Sequence, residues 1–259
     1  MVRLRMIDSP SNPVRTPSFM PFVAGQFFAL RRTRAYRGAP MSQVATSPIE
    51  MLTATLFLQH HSNGQDGCFF VVQERVDGDC QLSPGSDPND LTINRTDGSF
   101  STNRIMFSLS YRRTYVDDNY TQTASWHIGP RIEINPQGFL IGGITDEIYD
   151  LYGPTRLRLF GGFDRQGRFL GIGGRQWIDG WGERLFKPLE DNLSPLRLQV
   201  ESGFTIRRLH DLGFFLRFYK GQDYYNLAFR DSLSLLQFGI TFKTSPGQQF
   251  DVAPVLPRD

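Results

Sequence analysis

Lysine is scarce in this chain: Lys187, Lys220 and Lys243 are the only three, and arginine supplies the rest of the positive charge. With 28 basic against 26 acidic residues the net charge is +2. There is thus no global basic field, which argues against nucleic acid as a partner. No apolar run approaches the roughly 18–20 residues of a membrane helix. The hydrophobic content of 39% suits a transmembrane β-barrel, whose strands show lipid only alternate residues, but a soluble β protein equally well. Only two cysteines occur, Cys68 and Cys80, without zinc-site spacing. Twelve residues apart, they either close a small disulfide in an oxidising compartment or remain free thiols. An apolar leader is also missing, since Met1-Val2-Arg3-Leu4-Arg5-Met6 runs into polar, proline-rich sequence. An exported protein with this start would be a mature fragment or begin elsewhere. No Walker loop, GxGxxG, HExxH, internal repeat or low-complexity tract is found.

What is present is strand after strand. Pro10, Pro13 and Pro17 punctuate an irregular start. Nine strand-like segments follow, at 18–32, 49–62, 102–116, 122–135, 154–165, 168–179, 195–208, 212–228 and 232–244. Turns are expected at Asn135-Pro136-Gln137-Gly138, Asp164-Arg165-Gln166-Gly167 and His210-Asp211-Leu212-Gly213. Residues 136–153 read as a short extra strand or a loop, and 245–259 as a C-terminal extension. Between Gln65 and Ser99 lies a polar loop with seven acidic residues against Arg75 and Arg95. It fits the extracellular side of a barrel, and Cys68–Val72 could form a small ordered element within it.

Alternation is clearest in three segments. Leu52, Ala54, Leu56, Leu58, His60 and Ser62 share one face of their strand, because residues two apart point the same way. Asn103, Ile105, Phe107, Leu109 and Tyr111 share a face opposite Arg104, Met106, Ser108, Ser110 and Arg112. Leu236, Phe238, Ile240 and Phe242 oppose Gln237, Gly239, Thr241 and Lys243. A face of Arg, Ser, Thr and Gln fits a polar barrel lumen better than a soluble core, whereas a soluble sandwich would turn the apolar face inward. Arg104, Arg112, Arg131, Arg156 and Arg158 could form a lumen network with Glu133 and Glu201, or lie solvated at the surface. Trp126, Trp177 and Trp181 read as interface-girdle or ordinary aromatics. His127 and His210 show no evident partner.

His60 and Ser62 thus lie together on an apolar face, and His61 points the other way. A serine hydroxyl is a weak nucleophile until a neighbouring base takes its proton, and histidine can do so at neutral pH. The base needs a third group to fix its ring. Asn103, opening the next strand, comes beside His60 if the two strands pair as a hairpin around the loop. Taken alone, Asn63-Gly64 is a turn dipeptide, and the cluster could also be polar residues at a barrel rim.

His60-His61-Ser62-Asn63-Gly64 and Thr102-Asn103-Arg104 resemble the His-x-Ser-Asn-Gly and Asn-Arg motifs of the outer-membrane phospholipase A family. Tyr219–Asn226 resembles the tyrosine-rich region before that family's last strand. The resemblance covers most of 16–244, but only the motif around the triad is specific. It implies an all-β fold, an antiparallel transmembrane β-barrel of twelve strands in the family, with a Ser-His-Asn triad on its lipid-facing wall. Carried over, Ser62 is the nucleophile, His60 the base and Asn103 the orienting residue. Calcium is the implied cofactor, bound by the Gln65 carbonyl and by Ser99, four residues before Asn103. The implied activity is a carboxylic ester hydrolase, a phospholipase A1/A2 acting on membrane phospholipids and lysophospholipids in the outer membrane and regulated by homodimerisation. Two departures stand out. The span from Ser62 to Asn103 is far longer than the family's, which reads as an insertion at 65–99. The nine segments match the family's last nine strands, so about three are expected upstream, or the barrel is smaller and rearranged. A non-enzymatic pore or scaffold, and a soluble lipid-binding β-barrel, are the competing readings.

Overall fold

The computed structural model describes residues 2–3, 18–32, 48–90, 92–117, 122–137, 144, 149, 152–186, 194–209, 212–222 and 232–242. Thirteen strands occur among them: β1 (Val2–Arg3), β2 (Ser18–Phe19), β3 (Phe22–Arg32), β4 (Ile49–Ser62), β5 (Gln73–Val76), β6 (Asp79–Leu82), β7 (Ser101–Val116), β8 (Gln122–Ile134), β9 (Thr155–Phe169), β10 (Ile172–Phe186), β11 (Leu196–Ile206), β12 (Leu212–Gln222) and β13 (Ser232–Phe242). Nine of them are long and form one antiparallel sheet, each beside its neighbour in the chain once the β5–β6 hairpin is set aside. Among the described residues the end strands β3 and β13 do not pair with each other. Within the segment expected to be irregular, Val2–Arg3 pairs with Ser18–Phe19. The extension at 245–259 and His210 lie outside the described residues.

The strands are long because alternation runs through most of their length. The shortest of the nine have 11 residues and β7 has 16; a tilted membrane strand needs roughly 9–11. One expected turn is absent. Asp164-Arg165-Gln166-Gly167 lies inside β9, and the chain reverses at Leu170-Gly171 instead. Asp164 is held in the sheet by Gln122 (2.9 Å), Ser125 (2.6 Å) and Arg175 (2.8 Å), all donating to its carboxylate. Leu170 and Gly171 have φ of 48° and 82°, as a two-residue type I′ hairpin requires.

The two faces of the sheet differ sharply. On one, Phe27 (78% exposed), Leu159 (62%), Leu236 (72%) and Phe238 (74%) stand in an apolar row with Leu56, Phe107, Ile132 and Leu216. On the other, eight strands contribute side chains to one cavity of about 590 Å³, so the sheet curls around it. That concave side is polar. Glu133 meets Arg156 and Arg104, Glu183 meets Arg158 and Arg197, and Glu201 takes hydrogen bonds from Arg217 and from the Trp177 indole. Trp177 and Trp181 therefore belong to the concave side and not to an outer girdle, the latter with Arg158 stacked 4.1 Å from its ring centroid. His127 also has a partner, Asp179 at 3.9 Å. Twelve hydrophobic side chains are buried among the described residues while 36 large ones are exposed, the reverse of a soluble core.

The stretch 63–100 is a folded cap and not merely a polar loop. Phe69, Phe70, Ile93 and Phe100 pack with Ile144 and Tyr152 as its core. Asp77 and Gly78, at φ 52° and 93°, close the β5–β6 hairpin. Cys68 and Cys80 are joined in a disulfide.

Candidate active site

β4 and β7 pair antiparallel on either side of the cap, in a register that sets His60 opposite Asn103 and Ser62 opposite Ser101. His60 Nδ1 and Asn103 Oδ1 are 2.9 Å apart. An amide oxygen can only accept, so Nδ1 carries the proton and donates it. In the neutral ring the lone pair is then on Nε2, the nitrogen a general base uses. Ser62 lies two residues on, along the same face, roughly 6.6 Å away at the backbone by strand geometry. Leu58 and Ile105 continue this face into the apolar row.

Three neighbours frame Ser62. Phe19 pairs with it from β2 on the other side of β4, and the Pro21 carbonyl accepts the His60 backbone N–H at 3.0 Å. Gly64 follows in left-handed backbone, φ 65°, under the Phe19 ring. A Cβ there would be both strained and 3.2 Å from that ring, so glycine is favoured.

Asn63 is more than a turn residue. It is 1% exposed and ties the two ends of the cap together. Its Nδ2 donates to the Gly98 carbonyl (2.7 Å), and its Oδ1 accepts from Phe100 N (2.9 Å) and Gln65 N (3.3 Å). Its own N–H donates to the Phe100 carbonyl. With the Asn63 and Gln65 amides engaged, Gly64 N–H is the first donor after Ser62 without a carbonyl partner among the described residues. A backbone donor left open in this way is the kind of group that can meet an oxyanion.

On the concave side His61 is buried, with its ring edge-on to Phe100. Arg104 Nη2 donates to His61 Nδ1 at 2.6 Å and also to the Tyr152 hydroxyl, and Arg104 Nη1 reaches Gln59 at 3.4 Å. These contacts back the β4–β7 pair from behind. The motif contains Asn63 but assigns it no role, and Tyr152 lies outside it. Alone, Asn63-Gly64 reads as a turn dipeptide, and Tyr152 arrives from a distant segment with no local signature.

The nominated calcium donors, Gln65 and Ser99, stand on the two cap ends that Asn63 joins, and Ser99 N donates to the Gly67 carbonyl at 2.8 Å. Calcium takes roughly six to eight oxygens, with affinity set largely by charged ligands. Here the two oxygens are uncharged, and no cluster of three His, Cys, Asp or Glu able to hold a metal occurs among the described residues. On their own these residues do not make a calcium site. Comparison of the chain with protein-family models, with curated proteins and with solved structures returns no match.

Proposed function

We propose that this chain is an outer-membrane β-barrel that hydrolyses acyl esters of phospholipids and lysophospholipids through Ser62, His60 and Asn103. The observation that carries the reading is the His60–Asn103 hydrogen bond, set on the apolar face with Ser62 two residues away. Membrane placement draws its support from the same face. Each large apolar side chain left in water forgoes roughly 1.5–3 kcal/mol of burial. Soluble monomers rarely show contiguous apolar patches beyond a few hundred Å². A row spanning nine strands is therefore better matched to lipid, and the Arg–Glu side to a lumen.

In this reading the lipid ester arrives laterally at Ser62. His60 Nε2 takes the Ser62 proton as Oγ attacks the carbonyl carbon, and the oxyanion is met by Gly64 N–H. Collapse breaks the ester bond, and His60 protonates the leaving alcohol. Water, deprotonated by His60, then attacks the acyl-enzyme; the Ser62–acyl bond breaks, His60 returns the proton to Ser62 Oγ, and the fatty acid leaves. Asn103 holds the ring and its tautomer without adding charge. No step is routed through calcium, so chelation is part of the test. A non-enzymatic barrel retaining the motif is the second reading, favoured by the folded, disulfide-linked cap beside the site. Phospholipid hydrolysis by refolded wild type and by Ser62→Ala separates the two. Loss of fatty-acid release in the variant supports the enzyme, and equal release in both removes Ser62 from the chemistry.

A further inference from the structure

Behind the outward site lies the concave cavity of about 590 Å³, within the usual size of small-ligand sites. Six arginines line it: Arg104, Arg131, Arg156, Arg158, Arg197 and Arg217. Three glutamates answer them. Glu133 takes Arg156 at 3.3 Å and Arg104 at 3.8 Å. Glu183 takes Arg158 at 2.6 Å together with Arg197, and Glu201 takes Arg217 at 2.9 Å. Six cations against three carboxylates leave a positive surplus among the described residues.

Arg131 is where that surplus sits. It makes no hydrogen bond or ion pair with a described acid, and its guanidinium lies 5.8 Å from the ring centroids of both Phe57 and Phe160. Among the described residues its buried Nε has no hydrogen-bond partner, and neither do the buried Nε atoms of Arg156 and Arg197. Gln222 is an independent sign. It is 1% exposed, lines the same cavity, and has no partner at either amide atom among the described residues. Gly221, at φ 142°, interrupts the alternation of β12 after the exposed Lys220 and lets Gln222 face inward.

A half-buried guanidinium with no acid hydrogen-bonded to it, its Nε out of reach of water, is costly unless something compensates it. Unmet N–H donors beside it ask for acceptor oxygens and not for charge alone. A compact oxyanion meets both needs, because guanidinium forks match phosphate geometry. We propose that this cavity is a binding site for a phosphate-class oxyanion, held by Arg131, Arg156, Arg197 and Gln222. A free phosphate and the phosphodiester of a lipid head group share that chemistry. The proposal is independent of the hydrolase reading, since it uses the opposite face of the sheet.

The test is calorimetric titration of the full chain, refolded in a maltoside detergent that carries no phosphate. One arm uses inorganic phosphate and the other glycerophosphoethanolamine, each against sodium chloride at matched ionic strength. Saturable binding in either arm that survives chloride, and falls at least about tenfold in Arg131→Gln, supports the site and names its source. Arg131→Lys keeps the charge but loses the fork and should recover only part of the binding. Because no described acid is hydrogen-bonded or ion-paired to Arg131, Arg131→Gln should fold, which circular dichroism verifies. Absence of binding in both arms, loss of binding to matched chloride, or wild-type affinity in folded Arg131→Gln would overturn the proposal.

Discussion

At the scale of single residues, the hydrogen bond from His60 to Asn103 decides which ring nitrogen is available to Ser62. A hydrogen bond to a group that becomes charged is worth about 1.5–3 kcal/mol. Asn103→Ala should therefore lower kcat for ester hydrolysis about 10- to 100-fold with little change in KM, measured by fatty-acid release. Asn63 acts differently, because its three side-chain bonds hold the cap ends and not the ring. Asn63→Ala leaves the Gly98 carbonyl and the Phe100 amide short of partners in a buried place. It should destabilise the cap by about 2–4 kcal/mol, read as faster amide exchange over 63–100. The pairing of His60 with Asn103 was legible in the sequence because a hairpin register follows from alternation and needs only two adjacent strands. The roles of Asn63, Arg104 and Tyr152 were not. Each depends on a contact 35 to 48 residues away, which local patterning does not encode.

At the scale of elements, the strands follow directly from period-two patterning, and most expected segments coincide with the observed ones to within a few residues. The β9–β10 hairpin shows where composition misleads. Asp-Arg-Gln-Gly has turn chemistry, yet Asp164 is fixed by donors from β8 and β10, and those cross-strand bonds outweigh local preference. The real turn puts Leu170 in left-handed backbone while leaving it 87% exposed. A bulky residue in that conformation costs roughly 1–2 kcal/mol, and Asn tolerates it better. Leu170→Asn should thus raise the unfolding midpoint in denaturant. In the cap, the Asp77-Gly78 hairpin was readable and the aromatic core was not, since Ile144 and Tyr152 come from outside the stretch. The Cys68–Cys80 link closes a short loop, worth about 3 kcal/mol in the chain-entropy account. Replacing both cysteines with serine should expose 69–98 to proteases while the long strands stay resistant.

At the scale of the whole molecule, the inverted distribution of apolar and charged side chains is the dominant physical fact. In the proposed placement, lipid on the convex face and an Arg–Glu lumen on the concave face would account for it together. Leu159 stands in the middle of the outward row, so Leu159→Arg should cost about 2–4 kcal/mol of folding in bilayers. Folded protein should also migrate differently on a gel before and after heating. The catalytic proposal depends on this placement, because only a lipid-facing wall brings a phospholipid ester to Ser62. Its most direct test is fatty-acid release from phospholipid by the refolded full chain, wild type against Ser62→Ala, each with calcium and with chelator. The account predicts release that disappears in Ser62→Ala, and the chelator arm reads whether a metal joins Gly64 at the oxyanion. Release that persists at the wild-type rate in Ser62→Ala would contradict it.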